Sequence, residues 1–524
     1  MLPTLPVLSC KESAQWESKI LGGDESKEWD AIQLAGKGVA AAIVRDWSEM
    51  GPVPAKSFRI LVLCGTGHNA ADALIAATQL LEELPQATAL AVLAYGRDSM
   101  RPLAARALGE FVIRADRALV ADWSDSLAAE LSRSTFDICI EGVAGMNLKG
   151  APRDPAGALF AVVDKTDIAL RAAVDLPAGL CDEGAFAGFS ADFTYATGIV
   201  KAPLLEHGRS ERTGRIRHID LGFFDGARPD STAVQFLSPA CLTPLRRLRK
   251  AASDKRDFGH LFVMGGSRTM PGAVAMATLA ATKAGAGLVT VLVPAGITSR
   301  LAASIPEAMW TSLPSDDAGA LEAEDSLRAI RRSGDKATAF AIGPGLDTSA
   351  RDVRAMLCRF VRETPLPIVI DAGAIFFDMT QASTTRLVSS PRVVFTPHMG
   401  EFLRLAGLDY PPADAELVTQ AREYARKTRS ILVLKGPLTR ITDGERMVCG
   451  TFGGPVLARG GSGDILTGIL GALLAVPGAD LFEAACLGVA WHGAAAELLA
   501  REKGQRGVRT TEIADYLAPA LRSL

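Results

Sequence analysis

The 524-residue chain is predicted to be α/β in class, with two such domains in tandem. Two segments carry that reading: FRILVLCGTGHNAADALIAATQLLEEL at 58–84 and GHLFVMGGSRTMPGAVAMATLAATKAGAGLVTVLV at 259–293. Each opens with an apolar run of strand length, passes through a glycine-marked turn and continues as a helix. Between them, FFDGARPDSTAVQFLSPACLTPL at 223–245 is rich in Pro, Ser and Gly and follows an apparent closing strand, RIRHIDLGF. The boundary is placed there, giving domains 1–235 and 236–524. A chain of this length has material for two cores.

In the N-terminal half the first unit is followed by apolar strands TALAVLAY, FDICIEG, IALRAAVDLP and ADFTYAT, separated by helical or turn segments. This is the pattern of a doubly wound parallel sheet, which binds ligands outside the carboxyl ends of its strands. The C-terminal half offers ATAFAIGPGL, LPIVIDAGA, PRVVFTPHMGE and SILVLKGPLTRITDG, each read as one apolar strand ending in turn or polar residues. Several strand ends are therefore expected to converge on one site.

Composition narrows the function. With 48% hydrophobic residues and 22% charged, the chain is a folded one. A formal charge of −3 without a long basic run argues against nucleic acid and favours small-molecule partners. The eight cysteines form no CxxC pair, so neither a disulfide framework nor a zinc site is expected, in keeping with a reducing cytoplasm. The start, MLPTLPVLSCKES, lacks a signal peptide's basic region and apolar core, and longer apolar stretches are broken by lysine and glycine. A soluble protein without membrane contact is expected.

The segment LARGGSGDILTGILGALLA at 457–475 sets Asp464 at the mouth of an apolar helix. Glycines 460, 461 and 463 let the backbone approach a ligand, and the helix start turns unpaired N–H groups and its positive dipole end outward. Such a nest can stabilise a phosphoryl group in transfer, while Asp464 accepts a proton from the attacking hydroxyl. The plainer alternative is that Asp464 caps the helix. Lys435 and Gly436 follow one strand, a glycine turn at 341–346 follows another, and TPHMGEF at 396–402 supplies His398 with Glu401. The CGTGHNA turn has alanine at the third position of the dinucleotide fingerprint, which argues against a nicotinamide dehydrogenase.

In order, KRDFGHLFVMGGSRTMPGAVAMATLAATKAGAGLVTV, PEAM, GPGL, VIDAGAI, TPHMGEF, LKGPLTRI and GGSGDILTGILGALLA closely resemble the ADP- or ATP-dependent NAD(P)H-hydrate dehydratase family over nearly all of 245–524. That family has a ribokinase-like fold. CGTGHNAADAL, EGVAGMNLKG, VDLPAGL and TGIVKAPL resemble the partner enzyme, NAD(P)H-hydrate epimerase, whose domain is Rossmann-like.

The resemblance implies repair of hydrated NADH and NADPH (NADHX and NADPHX). The dehydratase half would phosphorylate the ring hydroxyl of the S epimer from ADP or ATP with magnesium, and loss of phosphate would restore the double bond. The epimerase half would interconvert the R and S hydrates. Hydrate contacts would fall on Ala273, Gly345, His398 and the catalytic Asp464, and nucleotide contacts on Lys435, Gly436, Pro437, Leu438, Thr439 and Gly463. In the other half they would fall on His68, Asn69, Ala70, Ala71, Asp72 and along the loop after Glu141, with Asp175 catalytic. A potassium site would use Asn69, Glu141 and Ala178.

The chain departs from the family pattern at several of these positions. His68 replaces an asparagine, and Ala70, Ala71 and Ala73 replace glycines, adding β-carbons where a phosphate or ribose would approach. Glu141 replaces aspartate, Ala178 replaces serine, Gly373 replaces the second aspartate of a DAD motif, and Gly454 replaces an asparagine. The N-terminal half is thus expected to be either a weakened epimerase or a scaffold that has lost catalysis. A ribokinase-like small-alcohol kinase and a non-catalytic nucleotide-binding regulator remain alternatives for the whole chain, and a homo-oligomer is left open.

Overall fold

The computed structural model describes every residue except 1, 114–115, 147, 149, 230–232, 387–391 and 524. Its contacts divide the chain into Leu5–Thr232 and a second unit made of Met1–Thr4 with Ala233–Leu524. Asn147 and Lys149, in the loop after Glu141, lie outside the described residues.

The first unit is built on a seven-stranded sheet in the order Arg215–Ile219, Phe193–Thr197, Asp167–Val174, Thr135–Gly142, Phe58–Cys64, Ala87–Leu93, Ala118–Asp122. Neighbouring strands are parallel throughout. Phe58–Cys64 is buried at every position but Arg59, as an apolar run covered on both faces must be. The strand order reverses between Phe58–Cys64 and Thr135–Gly142, which opens a crevice at their carboxyl ends. A β-carbon on Gly65 would lie 1.9 Å from the Val143 carbonyl oxygen, and one on Gly142 would lie 2.3 Å from that of Asn69. Only glycine lets the chain turn this tightly into the helix His68–Glu83. The helices Cys10–Leu21 and Glu25–Trp47 precede the sheet, and the second packs against His68–Glu83.

The second unit has a sheet in the order Gln235–Leu237, Met447–Gly450, Thr439–Thr442, Ser430–Leu434, Val393–Phe395, Ile368–Ile370, Ala339–Ile342, His260–Met264, Leu288–Pro294, Met309–Leu313. Here the segment read from sequence as one strand, SILVLKGPLTRITDG, turns out to be two. The chain reverses across Lys435–Leu438, where Gly436 and Pro437 break the ladder, and returns antiparallel as Thr439–Thr442. Strand alternation sorts the core into two layers. Leu261 and Val263 face Ile469 and the helices Pro271–Lys283 and Ser462–Ala475, whereas Phe262 and Met264 face Leu327 and Phe360. No helix among the described residues is long and apolar enough to cross a membrane.

The helix Ser462–Ala475 carries Asp464, and its approach to Pro271–Lys283 depends on Gly468, whose β-carbon would lie 2.0 Å from the Ala277 carbonyl oxygen. Gly468→Val is therefore expected to cost ~1–3 kcal/mol of stability by forcing these helices apart. The shift of the urea unfolding midpoint measures it.

Candidate active site

Four adjacent parallel strands of the second unit end side by side at Gly343, Asp371, Thr396 and Lys435. Asp371 is almost fully buried. Lys435 Nζ donates to its Oδ1 at 2.7 Å, and Thr467 Oγ1, one turn into the helix Ser462–Ala475, donates to its Oδ2 at 2.7 Å. A carboxylate buried there is tolerable because both oxygens are bonded and one partner is a cation. The Lys435 backbone N–H donates to the Pro397 carbonyl, and Lys435 pairs with His398 in a single bridge.

The helix start itself carries no side-chain cap. Gly461 precedes it in the left-handed region at φ +90°, and Thr510 Oγ1 donates to the Gly460 carbonyl. Asp464 is the third helical residue rather than the cap, and it accepts no hydrogen bond from the described residues. Burial, then the charge of Asp371, pushes its carboxyl up to about 6, with Lys435 pulling the other way. A β-carbon on Gly463 would stand 3.4 Å from Lys435 Nζ and 3.7 Å from Asp371 Oδ2, so its bare backbone lies against the ion pair. The result is an unbonded carboxylate at a helix mouth, flanked by a cation and open N–H groups, which suits proton abstraction beside an anion.

The remaining C-terminal candidates gather at the same sheet edge. Gly345, at φ +67°, lies so near Ala273 that its β-carbon would be 3.0 Å from Ala273 Cβ. His398 caps the helix Met399–Ala406 in a reciprocal pair with Glu401, leaving its ring largely exposed. Gly436 and Pro437 are exposed at the tip of the reversal, with Leu438 and Thr439 half-buried behind them. Gly373 accommodates a close approach: a β-carbon there would lie 2.2 Å from the Leu346 carbonyl oxygen. Sequence reasoning passed over Asp371, Thr467 and His492. The signal for Asp371 was its place directly after the apolar run of LPIVIDAGA. His492 is buried, its Nε2 has no partner among the described residues, and burial, then Lys435, lowers it to about 4.

In the first unit the helix His68–Glu83 also starts without a side-chain cap, and His68 is exposed beside Glu28. Asn69 Nδ2 donates to the Val174 carbonyl. Ala70, Ala71 and Ala73 are fully buried. Their methyl groups pack in the core. Asp175 follows its strand at φ +67°, strained for a residue with a β-carbon. Its Oδ1 accepts from Thr197 Oγ1 at 3.2 Å and from Lys201 Nζ at 2.5 Å.

The three potassium candidates do not fit that ion. The Glu141 carboxylate is turned onto backbone, accepting from the N–H groups of Val143 (2.7 Å), Ala144 (3.4 Å) and Ala178 (3.1 Å). Ala178 offers a methyl, and the Asn69 amide packs on Gly145, where a β-carbon would lie 2.5 Å from its oxygen. The longer glutamate thus reaches backbone donors in place of a cation.

Both halves of the chain have known relatives. Residues 261–519 match the NAD(P)H-hydrate dehydratase family, and residues 30–202 match the YjeF-related protein N-terminus. The bifunctional NAD(P)H-hydrate repair enzyme Nnr of Moorella thermoacetica is 33% identical over 476 residues, covering 89% of this chain and 88% of that one. Its counterpart from Gloeobacter violaceus is 32% identical over 504 residues, covering 94% and 93%. Among solved structures, the ADP/ATP-dependent NAD(P)H-hydrate dehydratase of Bacillus subtilis, co-crystallised with ATP and magnesium, is 27% identical. It covers 55% of this chain and 98% of that one, with a TM-score of 0.46. Both halves are α/β with largely parallel sheets, the N-terminal one Rossmann-like, and the chain belongs to the family of bifunctional NAD(P)H-hydrate repair enzymes.

Proposed function

We propose that the chain restores hydrated NADH and NADPH, with Asp464 as the base of a nucleotide-dependent dehydration and the N-terminal unit exchanging the two epimers. Family membership favours this over the kinase and regulator alternatives. The observation that carries the dehydratase reading is the unbonded Asp464 carboxylate, raised to about 6 at an uncapped helix start. A base with that value is mostly ionised at neutral pH yet retains proton affinity.

In the reaction so read, Asp464 takes the proton of the ring hydroxyl as its oxygen bonds to the terminal phosphorus of ADP or ATP. The shortened nucleotide departs. The open N–H groups before Asp464 and the Lys435 ammonium face the charge that spreads over the transferring group. The ring nitrogen's electron pair then expels phosphate, and loss of a proton from the neighbouring carbon restores the double bond. Hydrate would lie along Ala273, Gly345, His398 and Asp464, and nucleotide along Lys435–Thr439 and Gly463. The described residues hold no group of three metal-binding side chains, so magnesium would enter on the nucleotide's phosphates.

Asp464→Asn is expected to lower NADH regeneration by at least ~10²-fold while leaving nucleotide affinity within about twofold. Calorimetry and the absorbance of regenerated NADH check the two halves of that statement. The wild-type rate should fall as pH drops through about 6, where Asp464 gains its proton. Asp371→Asn removes the like charge and should move that limb to lower pH. In the other unit, Glu141→Gln would set an amide N–H against a backbone donor. A loss of ~1–3 kcal/mol in urea unfolding is expected, together with a thermal midpoint indifferent to exchange of sodium for potassium.

A further inference from the structure

Lys201 is fully buried in the N-terminal unit, where an unpaired ammonium would be costly. Its backbone is held by the short parallel pairing of Val200 and Lys201 with Val7 and Leu8. Its Nζ lies 2.5 Å from Asp175 Oδ1 and 3.6 Å from Glu17 Oε1, and it donates to the Thr197 carbonyl at 3.3 Å. Glu17 is presented by the helix Cys10–Leu21, whose start is set by the reciprocal Ser9–Glu12 cap. Burial works against the charge on Lys201, but Asp175 and Glu17 more than offset it, and the lysine ends above its ordinary value.

A further carboxyl group faces the same charges. Asp72, on the helix His68–Glu83, is buried, and its Oδ1 has no hydrogen-bond partner among the described residues. Burial, then the charges of Asp175 and Glu17, pushes it well above the carboxylate range, with Lys201 opposing. Glu17 itself is raised to about 7 by burial and Asp175, again with Lys201 opposing. Cys10 faces the same group, and Asp182 is held by the Cys10 and Lys11 N–H groups. His218, which also feels Lys201, is lowered by burial. A buried carboxyl group with an unbonded oxygen, set beside one paired to a lysine, supplies the parts that acid–base chemistry needs.

We infer that Lys201, braced by Glu17, is a positioning residue that holds Asp175 as the base for epimer exchange, and that Asp72 is the acid. This rests on reading the unit as an epimerase. The exchanging carbon bears the hydroxyl and adjoins the ring nitrogen. Asp72 gives its proton to the hydroxyl as the C–O bond breaks, water departs, and the nitrogen's electron pair carries the carbon's charge. A water oxygen then bonds to the opposite face while Asp175 takes its proton. Transfer of one proton from Asp175 back to Asp72 resets the cluster.

The test uses the full chain without nucleotide and follows R-to-S exchange of NADH hydrate by proton NMR in wild type, Lys201→Met, Glu17→Gln and Asp72→Asn. Amide hydrogen exchange of the core strand Phe58–Cys64 in the same samples checks that this unit is folded. Lys201→Met should slow exchange by ~10²-fold or more and move the acid limb of the pH profile upward by about one unit or more. Glu17→Gln should produce a smaller shift, and Asp72→Asn should remove the alkaline limb. An acid limb unmoved in Lys201→Met overturns the inference. Wild-type exchange no faster than the spontaneous rate sinks the epimerase reading instead. In that case the 13C carboxyl resonance of Asp72 decides the charge arrangement: it should keep its proton at pH 6, and an ionised Asp72 there overturns the inference.

Discussion

Parallel strands covered on both faces leave one place for polar chemistry, the carboxyl edge of the sheet. Phe58–Cys64 and His260–Met264 are nearly or wholly buried along their lengths, so no catalytic group can be placed on them without burying a charge. Each half therefore sets polar side chains just past its strands, Asp175 in one and Asp371 and Lys435 in the other. Helix starts supply the rest, because the same crossover that returns the chain to the sheet points open N–H groups at that edge.

Within the C-terminal site one ion pair organises the neighbours. Asp371 and Lys435 stand at the ends of two strands separated by Val393–Phe395, and Thr467 ties them to the helix that bears Asp464. The pair acts on Asp464 from both directions, the carboxylate raising it and the ammonium lowering it. The N-terminal site uses the same vocabulary with a deeper burial: lysine, carboxylate and hydroxyl meet at Asp175, Lys201 and Thr197.

Much of this was legible in the chain. Periodicity and glycine turns marked the strands and helices of both sheets, and the GGSGD stretch pointed to a helix mouth because so few local structures need that run of glycines. What escaped were partnerships across long separations. Nothing in VIDAGA states that its aspartate will meet Lys435, 64 positions later, nor does TGIVKAPL reveal that its lysine will be buried between Asp175 and Glu17. The reversal at Lys435–Leu438 was hidden because both arms are rich in β-branched residues, so one long strand and a hairpin look alike. Glu141 misled in a different way. A one-carbon extension that suggested a lengthened ion ligand instead lets the carboxylate fold back onto the chain.

The three buried alanines at 70, 71 and 73 have a consequence beyond the crevice they adjoin. They occupy ordinary right-handed helical positions where the family pattern has glycine, and alanine is favoured over glycine there by about 1 kcal/mol per residue. Part of that gain arises in the unfolded chain, which has fewer conformations to give up. The first turns of His68–Glu83 are thus stiffened at their root. Any ligand entering the crevice meets a helix start whose shape is set before binding, so adaptation falls to the side chains of His68 and Asn69 rather than to local unwinding.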